Sequence, residues 1–158
     1  METLFDWHIS LDRMSEMGDP LEKIDETINW DIFVKPLEEM RDKERKSNAG
    51  RKPYDVILML KILLLQSFYN LSDEQAEYQI NDRITFRRFL GLGLSGKCPD
   101  KNTIWLFREQ VTKAGYMETI FDLFSQFMDV GGVVAKEGVI IDASITDAKV
   151  QRLSLIHI

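Results

Sequence analysis

Cysteine and histidine are scarce in this sequence of 158 residues: there is one cysteine, Cys98, and there are two histidines, His8 and His157, at opposite ends. A single cysteine excludes an internal disulfide framework and a zinc site built from several cysteines. Two histidines so far apart in the sequence offer no histidine-based metal cluster. We therefore expect a protein of the reducing cytoplasm.

Long apolar runs and a signal peptide are also missing. The longest run, Val56 to Leu65, contains Lys61 and is too short to span a bilayer. The first residues, Met1 to Asp6, are acidic and lack the basic region of a signal peptide. Hydrophobic residues make up 44% of the chain, which is enough for a folded core. These features predict a soluble, folded, intracellular protein with no membrane partner.

Charge is unevenly distributed along the chain, whose net charge is −6. Residues 1–40 carry a net charge of −8, residues 41–113 carry +5 and residues 114–158 carry −3. Because a local basic surface governs the encounter with phosphate better than the total charge does, a nucleic-acid partner stays open. Lysines and arginines that only solvate helices would give the same distribution.

Apolar spacing and capping residues predict a mainly helical chain. In the first third we expect a short helix over 21–28 ended by Trp30 and Phe33, a turn opened by Pro36, and an exposed loop or linker over 41–52. Further helices are predicted over about 53–69, with Pro53 at its start, and over about 73–80, 82–90, 101–112 and 116–130. Ser72 with Gln75 forms a capping box, and Asp100 is a second capping residue. The helix over about 53–69 is apolar nearly all round, which is typical of the central helix of a bundle.

The short helices over 73–80 and 82–90 resemble a helix-turn-helix in spacing. The second carries Arg83, Arg87 and Arg88, and arginine at such positions can bind phosphate or guanine edges in the major groove. A small helical bundle with solvent-facing arginines would show the same pattern. Segment 41–52, with Arg51 and Lys52, could follow a DNA backbone or be a solvated linker.

Trp105 and Phe107 lie between Lys101 and Arg108, and they could form a base-stacking platform. An aromatic pair at this spacing is more often core, and we favour core for most of that set. Further on, the β-branched residues 139–141 run into Asp142, which predicts a buried strand with a carboxylate at its end. Asp142 is a candidate Mg²⁺ ligand, although an Asp after a strand is commonly a turn or cap residue.

Five segments in order resemble one known family, the bacterial insertion-sequence transposases of the InsH-like group (insertion-sequence family five). They are Gly50-Arg-Lys-Pro-Tyr54, Tyr69-Asn-Leu-Ser-Asp73, Phe86-Arg-Arg-Phe-Leu-Gly91, Cys98-Pro-Asp-Lys-Asn-Thr-Ile104 and Gly138-Val-Ile-Ile-Asp-Ala-Ser-Ile145. The last is similar to the strand that bears the first acid of an Asp-Asp-Glu catalytic triad. The resemblance covers roughly residues 20–152.

The resemblance implies an enzyme with two parts. A helical part would bind the double-stranded terminal inverted repeats of a mobile element. A ribonuclease-H-like α/β part would catalyse DNA cleavage and strand transfer with two Mg²⁺ ions, and Asp142 would be its first catalytic, metal-binding acid. The candidate DNA-binding residues are Arg51, Lys52, Arg83, Arg87, Arg88, Lys101 and Arg108.

The sequence departs from the family pattern at Leu153 to Ile158, an apolar tail where relatives continue with a polar, basic stretch. We therefore expect a truncated transposase, inactive alone and without a stably bound Mg²⁺. Its predicted parts are an acidic segment and basic linker (1–52), a helical DNA-binding module (53–132), and the start of a truncated ribonuclease-H-like domain (133–158). Although the partners of the predicted strand are missing, we expect the helical body, about 53–130, to fold. The alternative is a stand-alone regulator of transposition, which occupies element ends or joins multimers of itself or of the full-length enzyme.

Overall fold

The computed structural model describes residues 3–44, 47 and 49–130, and over these residues the chain forms eight α-helices. They are α1 (Leu4–Glu16), α2 (Pro20–Thr27), α3 (Asp31–Glu44), α4 (Val56–Tyr69), α5 (Asp73–Asp82), α6 (Ile84–Phe89), α7 (Lys101–Lys113) and α8 (Tyr116–Val130). The mainly helical fold class is confirmed over these residues. The predicted strand at 139–141 lies outside them, as do Asp142 and the tail 153–158.

The helix ends in the second half follow the predicted caps. Ser72 and Gln75 form the reciprocal capping box of α5: the Ser72 backbone N–H donates to the Gln75 side chain, and the Gln75 N–H donates to the Ser72 hydroxyl. The Asp100 carboxylate accepts from the Thr103 N–H at 2.7 Å and starts α7. The start predicted at Pro53 is wrong: α4 begins at Val56, after Asp55, whose carboxylate accepts from the Ile57 and Leu58 N–H groups. The helix ends at Asn70, whose φ of 54° is the left-handed conformation common after a helix.

One hydrophobic core holds the helices together, and α4 supplies much of it. Residues from α5 to α8 pack around α4, including Ile80, Phe86, Ile104 and Phe124. The same cluster contains side chains from the first third of the chain: Leu21, Ile24, Ile28, Phe33, Leu37 and Met40. The core therefore crosses the division at residues 52 and 53 that the sequence suggested.

The first third of the chain is more helical than predicted. Helix α2 (Pro20–Thr27) confirms the predicted helix over 21–28, which ends before Trp30. Helix α1 was not predicted, and α3 runs from Asp31 through Phe33 and Pro36 to Glu44, so the stop at Phe33 and the turn at Pro36 are wrong. A proline inside a helix removes one backbone hydrogen bond, to the carbonyl four residues earlier. Pro36 and Ile32 are both exposed, so water can replace the lost donor. The predicted linker over 41–52 is helical as far as Glu44.

The half-buried Lys61 ties the N-terminal helix α2 to the rest of the bundle. The Lys61 ammonium on α4 donates to Asp25 on α2 at 2.6 Å and to the Phe89 carbonyl on α6 at 2.9 Å. It also lies 4.7 Å from the centre of the Trp30 ring and 5.0 Å from that of Phe89. The charged residue within the apolar run is thus enclosed by a carboxylate, a carbonyl and two aromatic faces.

Among the described residues, no single helix has the length and apolarity needed to cross a membrane. Helices α4 and α5 pass that test only when taken together, by length and composition, and they are bent by 101° at their junction.

Candidate nucleic-acid interface

Segment 51–54, which precedes α4, is held in place by hydrogen bonds from both sides. A guanidinium N–H of Arg41, on α3, donates to the Tyr54 carbonyl at 2.6 Å. The Tyr54 hydroxyl donates to the Cys98 carbonyl at 3.5 Å, just before α7. Arg51 lies over the Tyr54 ring, 5.3 Å from its centre, and donates to its hydroxyl at 3.1 Å. These contacts place the basic segment beside the start of α7.

Helix α7 buries one face and exposes the other. Ile104, Phe107 and Val111 are buried at the spacing of three to four residues that marks one side of a helix. Trp105 and Leu106 point away from the core and are 51% and 52% exposed. The expectation of core packing is therefore confirmed for Phe107 and wrong for Trp105.

Polar contacts fix α7 against α5. The Arg108 guanidinium donates to both carboxylate oxygens of Asp73 and, at 3.4 Å, to the side-chain oxygen of Gln66. Hydrogen bonds from Arg108 hold the pKa of Asp73 below its usual value, and the same contact raises the pKa of Arg108. At the other end, the Glu77 carboxylate accepts from the Lys101 backbone N–H at 2.9 Å. Polar contacts at two places along its length therefore fix α7 to α5.

A cleft of about 350 Å³ lies between segment 49–54 and α7, and we call it the α7 cleft. Its cationic lining residues are Arg41, Arg51 and Lys52. On the α7 side it is lined by Thr103, Leu106, Phe107 and Gln110. The cleft therefore combines positive charge with hydroxyl, amide and apolar groups on one helical face.

Acidic residues also lie near this region: Glu38, Asp42 and Asp55 line an adjoining pocket with Arg41 and Lys52. Asp100 precedes α7, and its charge serves the fold. The pKa of Asp100 lies below its usual value, chiefly because the Thr103 backbone N–H donates to its carboxylate. The nearby positive charge of Arg51 contributes to the same lowering. The carboxylate is therefore ionised at neutral pH and is neutralised by a helix N-terminus and a guanidinium.

The thiol of Cys98 lies near the same segment but is not set up as a nucleophile. It is half-buried and donates to the Pro99 carbonyl at 3.2 Å. Burial raises the pKa of Cys98 to about 11, so the thiol stays protonated at neutral pH.

Arg83 does not lie on the same face as the other two arginines of its segment. It precedes α6 as the single residue between α5 and α6, in an extended conformation. Its exposed guanidinium lies 5.7 Å from the centre of the Tyr69 ring and 5.0 Å from that of Phe86. Arg83 can still reach a phosphate, but from a place separate from the α7 cleft.

Arg87 is 7% exposed and organises the loop that leads to α7. Its guanidinium donates to the carbonyls of Gly93, at 2.7 Å and 3.1 Å, and of Leu94 and Gly96. Arginine suits this position because its fork of donors can satisfy several carbonyls at once. The Arg87 side chain therefore has a structural role that the sequence did not predict.

Arg88 clamps the N-terminal helices onto α6. It donates to the Leu11 carbonyl at 3.0 Å, to the Ser15 hydroxyl at 2.8 Å and to the buried Asp19 carboxylate at 2.6 Å. Like Arg87 and Arg108, Arg88 donates its hydrogen bonds to acceptors within the protein. DNA contact by these three arginines stays a prediction.

The expected helix-turn-helix over α5 and α6 is not confirmed. The two helices are joined by one residue, whereas the motif uses a turn of three or four. In the six-residue helix α6, Phe86, Arg87 and Phe89 are buried. Helices α4 and α5 do meet at 101° across Asn70 to Ser72. However, α5 carries four acidic residues and no basic one, which opposes insertion into a DNA groove.

Of the predicted DNA-binding residues, Arg51 and Lys52 come together at the α7 cleft, and the exposed Lys101 begins the helix that lines it. Sequence reasoning did not single out Arg41, Thr103 or Gln110. The spacing of Thr103, Leu106 and Gln110, at i, i+3 and i+7, could have revealed a second exposed face of α7.

The predicted catalytic residue and metal ligand, Asp142, lies outside the described residues. Within residues 3–44, 47 and 49–130, no group of three or more His, Cys, Asp or Glu side chains could hold a metal ion. The metal prediction therefore rests on sequence alone.

The comparison with known families gives the class of this protein, which is transposase-related. The family model described as "Transposase domain (DUF772)" matches residues 9–110, from within α1 to within α7. This match covers more than half of the chain, which therefore belongs to that family. No solved structure matches the chain.

Proposed function

We propose that the helical bundle is the DNA-binding part of a transposase and that it holds the terminal inverted repeats of a mobile element through the α7 cleft. The observation that supports this proposal most is that Arg41, Arg51 and Lys52 line one cleft in a chain whose net charge is −6. A local positive surface attracts phosphate to one place, while the acidic remainder of the protein repels it.

The arrangement of charges supports the same assignment. Arg41 and Arg51 are held by Tyr54, so the positive groups are pre-positioned rather than free to swing. Pre-positioned cations lose less conformational entropy when they bind a phosphate backbone. Arg83 is exposed at the C-terminal end of α5 and could add a phosphate contact outside the cleft.

The narrower assignment is also a proposal: an InsH-like transposase of the Asp-Asp-Glu type, in which Asp142 ligates Mg²⁺ during phosphodiester cleavage and strand transfer. It rests on the sequence segment 138–145. Magnesium suits this chemistry because carboxylate oxygens are its preferred ligands and because it stabilises charge on the attacking and leaving oxygens.

The test is a salt titration of DNA affinity by fluorescence anisotropy, with a duplex carrying the sequence that flanks the gene at the element end. Each lost phosphate contact lowers the slope of log K against log salt by about one. We expect R51A/K52A to weaken binding and to lower that slope by about two.

The matched control is R13A/K35A, which removes two exposed positive charges from α1 and α3, away from the cleft. It should leave the slope within experimental error of the parent chain. Equal losses in the two double variants would mean that the chain binds DNA by overall charge, and the α7 cleft would not be the site.

A further inference from the structure

We propose that α7 is the helix that reads base sequence, lying in the major groove with Asn102, Leu106 and Gln110 toward the base edges. This inference rests on the proposed function, because it assigns the reading element of the same interface. It replaces the short helix α6, for which the sequence had suggested that task.

The packing of α7 leaves a continuous outward face. Ile104, Phe107 and Val111 point into the core, and Arg108 is committed to Asp73. Asn102 and Leu106 are exposed and Gln110 is half-buried, and these three recur every four residues along the other side. Side chains at such intervals lie one above another on a helix, so they can meet successive base pairs.

The chemistry of this face suits direct readout. Asparagine and glutamine amides can make paired hydrogen bonds with the adenine N6 and N7 atoms, and apolar side chains contact the thymine methyl group. Thr103, beside Asn102 on the cleft side, offers a hydroxyl that can bond to either kind of edge.

The surroundings of α7 fit a helix in a groove. A helix with its side chains is about 10–12 Å across, close to the roughly 12 Å width of the major groove. Arg51 and Lys52 lie beside its N-terminal half, where they can bind the phosphates that border the groove. Glu109 is the acidic residue on α7, and its charge lies near that of Arg108.

The other exposed helices fit this task less well. Helix α6 has six residues, of which Phe86, Arg87 and Phe89 are buried. Helix α5 presents Asp73, Glu74, Glu77 and Asp82, and a carboxylate near the phosphate backbone is repelled. Helix α1 exposes the carboxylates of Asp6, Asp12 and Glu16, which the phosphate backbone repels, against one exposed arginine, Arg13.

The experiment compares the affinity of the full chain for the element-end duplex with its affinity for a scrambled duplex of the same composition. We expect N102A/Q110A to lower the ratio of the two affinities by at least about fivefold per lost amide contact, mainly by weakening binding to the end duplex. R51A/K52A should instead weaken binding to both duplexes and leave the ratio nearly unchanged.

The matched control is N81A/Q126A, which removes the same two amides from exposed positions on α5 and α8. Circular dichroism on all variants shows that the helices are intact. If the parent chain prefers the end duplex and N102A/Q110A keeps that preference, α7 does not read the bases, although DNA binding stands. If the parent chain shows no preference for the end duplex, the proposed function itself fails.

Discussion

At the scale of single residues, Lys61 shows how a charge can be required inside an apolar helix. Its side chain is 11% exposed, and it satisfies Asp25 and the Phe89 carbonyl together. A buried cation is expensive to desolvate, but two acceptors and the faces of Trp30 and Phe89 offset that cost. Sequence shows that the run is interrupted by a lysine, but not which partners enclose it.

Lys61→Ala should lower the free energy of unfolding by about 1–3 kcal/mol, because the Phe89 carbonyl loses its side-chain donor and the Asp25 carboxylate keeps Trp30 but loses its ion pair. Urea unfolding followed by circular dichroism measures the change. Lys61→Met should recover part of the loss, since it keeps the aliphatic stem. Lys35→Ala, on an exposed part of α3, is the matched control and should change stability by less than about 0.5 kcal/mol. A Lys61→Ala effect no larger than that of the control would contradict this account.

The same scale explains why the candidate site was only partly predictable. Arg87 and Arg88 are neighbours in sequence, yet one serves the loop before α7 and the other serves α1 and α2. An arginine-rich helix looks alike in sequence whether its donors face DNA or the protein's own carbonyls. Arg51 and Lys52 were singled out, but their meeting with Arg41 depends on the tertiary position of α3.

At the scale of elements, the helices with local signals were predicted well. The caps at Ser72 and Asp100 fix the starts of α5 and α7, and glycine with a positive φ follows α6 and α7 at Gly91 and Gly115. Helix α1 escaped prediction because Trp7 is the buried side chain it contributes, so its apolar pattern is weak. Pro36 led to a wrong prediction because an exposed helix tolerates a proline when water can donate to the carbonyl that loses its backbone partner.

The N-terminal helices give the element-scale prediction. A chain that begins at residue 53 should lose its cooperative thermal transition, because it lacks six core residues from α2, α3 and the segment that joins them. It also lacks Asp25, the partner of Lys61.

The control deletion removes residues 1–18 and keeps α2, Asp19 and the core. It should unfold cooperatively at a lower temperature than the parent chain, since Arg88 loses its contacts with Leu11 and Ser15. Differential scanning calorimetry separates the two outcomes. A sharp transition in the chain that begins at residue 53 would show that the N-terminal helices are dispensable.

At the scale of the whole molecule, charge and fold act together. The acidic first 40 residues contribute α1, α2 and most of α3, and they supply Asp19 and Asp25, which bind buried or half-buried cations. The basic excess of residues 41–113 is partly used in the same way, by Lys61, Arg87, Arg88 and Arg108. The exposed Arg51 and Lys52 lie at the α7 cleft, whereas the exposed Arg83 lies apart from it. The sequence predicted a basic middle; the fold decides which of its charges face outward.

Hydrogen–deuterium exchange of the chain with and without the element-end duplex tests the central claim most directly, because it locates the DNA on the protein without any substitution. We predict slower exchange in residues 49–54 and in the N-terminal half of α7, with little change in α1 and α8. Protection confined to α5 and α6, or no protection at saturating duplex, would contradict binding at the α7 cleft.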